Sequence, residues 1–394
     1  MYAREIYGLM MAGAILLIAG CSADDVVKET TSEEAIAISF SCNYDNPEEH
    51  PTRAGHQGVM NTEDLYATGF GVMASTTAGT DPEDNKPDLM YNQKVEFTFV
   101  GDMADPLKGY WSYSPLKYWP TDLTHCYISA YAPYVEQPIA NPGTTTGIYG
   151  ISANNVPPYV DYRRCDKPSE VVDLLWYYEK PTAIPAKTAQ KAAGILDMKM
   201  RHALARLEIK VALAAAPASG TKVLIEKITL TGQMAKTGRL HLYEQTTEGS
   251  GNDIKYYPVW SDQTYDLDHS IKIKNKDNDS ESYGIIDSQV RYIEGLPYDW
   301  QPAGLSTTLQ NALSTGDRTG YVYLIPQPSA TPAEGDPTGL SLTVKVTCKK
   351  WVQGEEGQPT TYIKTTNVDV TPTAVANPLK GNTTYTLNLT LSGI

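Results

Sequence analysis

The chain has 394 residues and a formal charge of −14, long enough for two or three domains of roughly 150 residues each. That acidic balance excludes nucleic acid as a partner, because phosphate binding needs a basic stripe that displaces counterions. With 20% charged and 41% apolar residues, global disorder is excluded as well. The 27 Tyr and 6 Trp against 4 Phe, punctuated by 26 Pro and 30 Gly, fit an extracytoplasmic all-β protein, since Tyr packs its ring in half-buried strands while its hydroxyl reaches water.

Residues 1–20 read as a processing signal. Arg4 precedes an apolar run over 9–19, which is too short for the roughly twenty helical residues that span a bilayer. The run ends in Leu17-Ile18-Ala19-Gly20-Cys21. This resembles a bacterial lipobox, in which small residues admit the signal peptidase and the Cys21 thiol takes the lipid. Cys21 is therefore the expected lipidation site, and a lipid accounts for it without a disulfide partner. Residues 21–35, opening with Ser22-Ala23-Asp24-Asp25, read as an acidic tether; a plain solvated linker has the same composition.

Beyond the tether, segments of period 2 recur between turn residues. The first half offers 35–42, 69–75, 93–100, 110–119, 126–134, 171–179 and 195–212; the second offers 222–231, 239–243, 283–293, 320–325, 340–349, 361–370 and 383–391. Between them, Ala214-Ala215-Ala216-Pro217-Ala218-Ser219-Gly220 reads as a linker. Each half holds about seven strands, enough for one two-sheet sandwich. The expectation is an all-β fold of two β-sandwich domains in tandem, 36–215 and 216–394. An Ala-rich stretch over 185–193 has the composition of a short helix. Residues 78–88, 141–165, 275–282 and 326–339 read as long connections, the kind that carry recognition or merely decorate a surface.

Four cysteines follow the anchor. Cys42 continues the alternating set Ile36, Ile38, Phe40; Cys126 shares a face with Ile128 and Ala130; Cys348 extends Leu342, Val344, Val346; Cys165 sits in loop-like sequence. Positions on apolar faces favour free buried thiols over disulfides.

Catalytic signatures do not emerge. The chain has no Gly-x-Ser-x-Gly elbow, no His-Glu-x-x-His and no phosphate loop. His50 and His56 flank a loop, and His202 lies in a strand-like run, where a lone His is more often packed than catalytic. Asp277-Asn278-Asp279-Ser280-Glu281 lacks the glycine and the bidentate Glu of a calcium loop. The aromatic cluster Tyr110-Trp111-Ser112-Tyr113 and Tyr118-Trp119 fits core and sheet edge, with carbohydrate stacking as the rival use. A non-enzymatic protein without cofactor or metal is expected.

Taken in order, several pieces resemble the fimbrillin family, the lipoprotein precursors of type V pili in Bacteroidota. They are Cys21 after its signal core, Ile36-Ala37-Ile38-Ser39-Phe40, Thr52-Arg53-Ala54, Gly69-Phe70-Gly71-Val72-Met73-Ala74 and Tyr118-Trp119-Pro120. Then come Ile128-Ser129-Ala130-Tyr131-Ala132-Pro133-Tyr134, His202-Ala203-Leu204-Ala205-Arg206-Leu207-Glu208, Tyr323-Leu324-Ile325-Pro326-Gln327 and the terminal Gly381-Asn382-Thr383-Thr384-Tyr385-Thr386-Leu387-Asn388-Leu389. The resemblance implies two transthyretin-like sandwiches, an outer-membrane precursor held at the cell surface by its lipid, and cleavage by an Arg-specific surface protease. The site would be Arg53–Ala54, making 36–53 a removable first strand with Ile36, Ile38 and Phe40 on its apolar face. A strand from another pilus subunit would then fill the vacated groove. The run Tyr385, Leu387, Leu389, Leu391 has the alternation of a donor strand and equally that of an ordinary last strand. A pilus subunit serving adhesion is the leading expectation; a monomeric, anchored glycan-binding lipoprotein is the alternative.

Overall fold

The computed structural model describes residues 36–44, 60, 62–76, 85–100, 109–120, 126–165, 171–178, 194–213, 221–274, 292–294, 321–327, 342–352, 364–370 and 379–391. Ala35–Ile394 forms one compact unit, and its architecture is all-β, as the periodicity predicts.

The first sheet has seven strands: β1 (Ser39–Tyr44), β2 (Phe70–Ser75), β3 (Met90–Phe99), β4 (Gly109–Ser112), β5 (Tyr127–Ala132), β8 (Leu175–Tyr178) and β9 (Ile195–His202), in the order β1-β9-β8-β5-β2-β3-β4. β1 runs parallel to β9, and every other neighbouring pair is antiparallel. A short helix, α1 (Thr62–Thr68), precedes β2. It ends at Gly69, whose φ of +64° and whose approach to the Val95 carbonyl, 2.4 Å from where a Cβ would sit, leave no room for a side chain.

The second sheet is built on β11 (Thr221–Glu248), a strand of 28 residues. One of its edges pairs with β15 (Leu342–Val352) and then with β7 (Tyr159–Arg163), which carries β6 (Gly147–Ile151); β16 (Lys364–Val370) continues beyond β15. The other edge pairs with β12 (Lys255–Lys274) and with the short β13 (Tyr292–Glu294). A three-stranded sheet places β10 (Ala205–Leu213) between β14 (Tyr321–Leu324) and β17 (Thr383–Leu391).

Several elements depart from the sequence expectation. The connection read over 141–165 holds β6 and β7, in which Val160 and Tyr162 point inward between Tyr159, Asp161 and Arg163. The segments 222–231 and 239–243 are parts of one strand, kept continuous through register shifts near Gly232 and Thr237. β12 has no counterpart in the expectation, because its polar run and Pro258 hide the strand. Pro258 stands opposite Gln245, next to a register shift, where a missing N–H disturbs the ladder least. The linker at 214–220, the helix at 185–193 and the acidic turn at 277–281 lie outside the described residues.

Strands β2, β5 and β8 are buried on both faces. One face sends Phe70, Val72, Ile128, Ala130, Leu175 and Tyr177 into a first core with Ile38, Phe40 and Cys42. The opposite face sends Met73, Tyr131, Trp176 and Tyr178 into a second core with Val160, Tyr162, Leu240 and Ile325. Alternation thus appears as which core a residue enters rather than as burial against exposure. Tyr131 is fixed from both ends: its hydroxyl donates to Asn92 Oδ1 at 2.6 Å, and its ring covers Gly71.

Cys42 and Cys126 are free thiols and buried, and Cys165 is buried as well. Burial pushes the Cys126 thiol up to about 12, with the Asp88 charge adding, and raises Cys42 further still, with Asp197 adding. Burial likewise lifts Tyr178 to about 12 and raises Tyr131 and Tyr162.

Two outcomes follow from this packing. A Cβ at Gly71 would lie 2.4 Å from Tyr131 Cε1, so Gly71→Ala should destabilise the protein by about 1–3 kcal/mol, the usual cost of overpacking, read as a lowered urea midpoint. Because these thiols and phenols hold their protons more tightly folded than unfolded, the unfolded chain ionises first. From pH 7 to about 8 their contribution should therefore be level, with stability falling progressively above that, measured as Tm from pH 7 to 10.5.

Candidate functional site: the first strand and its groove

In Ile36 to Cys42 the even positions face the core: Ile38, Phe40 and Cys42 are buried, Ile36 is half-buried, and Ser39 is exposed. The main chain is held on two sides. On one, β1 lies beside β9 with Phe40 opposite Leu196 and Cys42 opposite Met198. The Ser39 amide extends that edge by donating to the Gly194 carbonyl at 2.7 Å. On the other, Ala37 bridges Tyr118, the Ile38 amide donates to the Lys117 carbonyl at 2.8 Å, and the Trp119 amide donates to the Ile36 carbonyl at 2.9 Å. The strand therefore closes the gap between β9 and the segment that follows β4.

The groove beneath it is graded. Phe40 meets Phe70 edge to face, with centroids 5.9 Å apart, and Tyr113 at 5.5 Å. The Tyr113 hydroxyl donates to the Ile38 carbonyl at 2.8 Å, so one residue both walls the aromatic pocket and holds the strand's backbone. Trp111 packs edge-on to Phe70 at 4.8 Å, and Tyr66 of α1 stacks on Phe97 at 3.9 Å. Leu196, Met198 and Met200 form the β9 wall. Burying an aliphatic or Phe side chain is worth roughly 1.5–3 kcal/mol each, so Ile38 and Phe40 together hold β1 by several kcal/mol.

Of the residues the sequence nominated, Ile36, Ile38 and Phe40 come together on this strand. Cys21, Arg53 and Ala54 lie outside the described residues. Tyr385, Leu387, Leu389 and Leu391 lie on β17, which runs parallel to β10 with Tyr385 opposite Leu207 and Leu389 opposite Val211. Tyr385 accepts the Lys380 amide on its hydroxyl at 2.9 Å. In the aromatic cluster, Trp119 is buried, Trp111 and Tyr113 pack toward the groove, and only Tyr110 and Tyr118 stand well exposed, at 55% and 48%. Sequence reasoning did not find Tyr113 as a holder of the strand or the β9 methionines as its wall. The alternation Leu196, Met198, Met200 was the available signal. Among the described residues no cluster of His, Cys, Asp and Glu could hold a metal.

The groove, built from apolar pockets and main-chain ladders, holds a strand within an all-β fold. The fimbrillin-like family profile matches residues 52–393, and the chain belongs to that family, whose members are structural fimbrial subunits of the cell surface and not enzymes. It is 26% identical over 255 residues to fimbrium subunit Fim1C of Phocaeicola vulgatus, a match covering 63% of this chain and 61% of that protein. Its fold is similar to the crystal structure of a fimbrial protein from Bacteroides vulgatus, with a TM-score of 0.50 at 18% identity over 90% of this chain and 95% of the other.

Phe40→Ala should cost about 3–5 kcal/mol, as emptying an aromatic core position does, seen in urea unfolding of the intact chain. At pH 8 Cys42 and Cys126 should resist iodoacetamide in the folded protein, and Cys42 should become reactive once the first strand has left its groove.

Proposed function

We propose that the protein is a pilus subunit that is exported as a lipoprotein through Cys21 and cut after Arg53 by an Arg-specific protease. It is then polymerised by a strand from another subunit entering the groove of β1, and serves adhesion. The observation that carries this reading is the placement of β1. It fills an apolar groove beside β9, its only link to the rest of the fold in sequence runs through 45–59, and Arg53 lies in that link. Cutting there would turn a covalent strand into a bound one. Its departure would bare Leu196, Met198, Met200 and a row of unpaired ladder groups, both costly to leave open. A strand with apolar residues at alternating positions restores both by β-augmentation. β17, with Tyr385, Leu387, Leu389 and Leu391 in alternation, is the candidate donor within this chain. The partners are then other pilus subunits, the protease, and the outer membrane through the lipid.

A second reading, a monomeric anchored glycan binder, draws on the exposed rings of Tyr110 and Tyr118. The two separate in one experiment. Surface-sheared material should begin at Ala54 and run as SDS-resistant ladders, and Arg53→Ala should leave a full-length monomer. An intact monomer retarded in glycan affinity gels, with retardation lost in Tyr110→Ala, would favour the second reading.

A further inference from the structure

The groove accounts for how β1 is held; a different set of contacts receives the chain on the other side of 45–59. Met60 is the first described residue there. Its side chain joins the first core at 3% exposure, and its amide donates to Asp173 Oδ2 at 3.1 Å. Asp173 is 1% exposed, and the same oxygen lies 2.6 Å from Nδ1 of His202, the last residue of β9. Burial, with the Arg206 charge adding, holds His202 well below the ordinary histidine range. Just beyond the pair, the Ala203 amide donates to the Leu174 carbonyl at 2.7 Å, tying the chain before β8 to the end of β9. One buried side-chain oxygen on the approach to β8 thus meets two other stretches of chain: the re-entry at Met60 and the end of the strand that receives β1.

We propose that Asp173 is a positioning residue that anchors the chain downstream of the cleavage segment. In this arrangement, loss of the first strand leaves Met60 and α1 seated. The proposal rests on the strand-removal reading for its purpose, but not for its geometry. The two sides of the cut are held by different chemistry. β1 relies on a main-chain ladder and apolar side chains, which another strand of the same period can replace. Met60 relies on its own side chain in the core and on an amide bonded to a buried acid. Removing that acceptor would leave the Met60 amide unpaired in the core, and no incoming strand supplies a substitute.

The test is amide hydrogen exchange on the full chain, before and after Arg-specific cleavage, for wild type, Asp173→Ala and Asp173→Asn. In the uncut chain Asp173→Ala should speed exchange at Met60 by about tenfold or more, while the β5 amides stay within about twofold of wild type. Asp173→Asn, which keeps an acceptor at this position, should fall between the two. After cleavage and loss of β1, wild-type Met60 should remain protected. Equal protection of Met60 in wild type and both variants would overturn the anchor, as would loss of wild-type protection when β1 leaves. If Asp173→Ala does not fold, the Asp173→Asn comparison decides. A chain that Arg-specific protease never cuts at Arg53 would sink the strand-removal reading, while the uncut comparison still judges whether Asp173 holds Met60.

Discussion

Everything in the first sheet depends on the pairing of β9. One of its edges is joined antiparallel to β8 inside the sheet, and the other takes β1 in parallel. Its inward residues Leu196, Met198 and Met200 are shared between the sheet's own core and the strand laid beside it. A central strand is stabilised by neighbours on both sides, whereas an edge strand has one ladder and its buried face. β9 is a central strand only while β1 is present. The stability of the groove and the retention of β1 are therefore one quantity seen from two sides.

The scaffold around that joint is unusually unyielding. β2, β5 and β8 carry buried side chains on both faces, so the sheet cannot rotate or slide without disturbing two cores. Tyr131 illustrates the constraint: its ring lies on Gly71 while its hydroxyl is held by Asn92. Close-packed interiors transmit such constraints rather than absorbing them. The groove under β1 is accordingly a shaped surface, with an aromatic pocket formed by Phe70 and Tyr113 beneath Phe40. Under the proposed strand exchange, such a floor would let the groove accept a strand without collapsing first.

How much of this was legible in the sequence follows from which signals are local. The alternation in 36–42 and 195–202 is local, and both segments are strands with the faces that period 2 assigns. β12 escaped because Asp, Gln, Thr and Ser fill positions that apolar residues would mark, and because Pro258 argues against a strand interior. β6 and β7 escaped because Gly, Thr and Asn surround them and only Ile148, Val160 and Tyr162 mark an inner face. The partner of each strand was not legible at all. Nothing in Ser39–Tyr44 points to Ile195–His202, since pairing across such a separation is decided by shape and burial in the folded chain. The meeting of Met60, Asp173 and His202 is of the same kind, three polar or main-chain groups brought together by tertiary structure alone.

The distance in sequence between β1 and β9 has a kinetic side. Contacts so far apart along the chain form late, because the entropy of closing a long loop must be met before the contact returns anything. The rest of the sheet can therefore assemble with its acceptor edge open. Even so, a β1 joined covalently to the fold stays near that edge at a raised effective concentration. An untethered competitor at ordinary cellular concentration is outnumbered at the groove from the start. Severing the link would abolish that advantage at one stroke, replacing a first-order return by a second-order encounter. Under the proposed strand exchange, the covalent connection through 45–59 would be a clock set by proteolysis: it would fix when a subunit becomes available to its neighbours, while the groove would fix what it accepts.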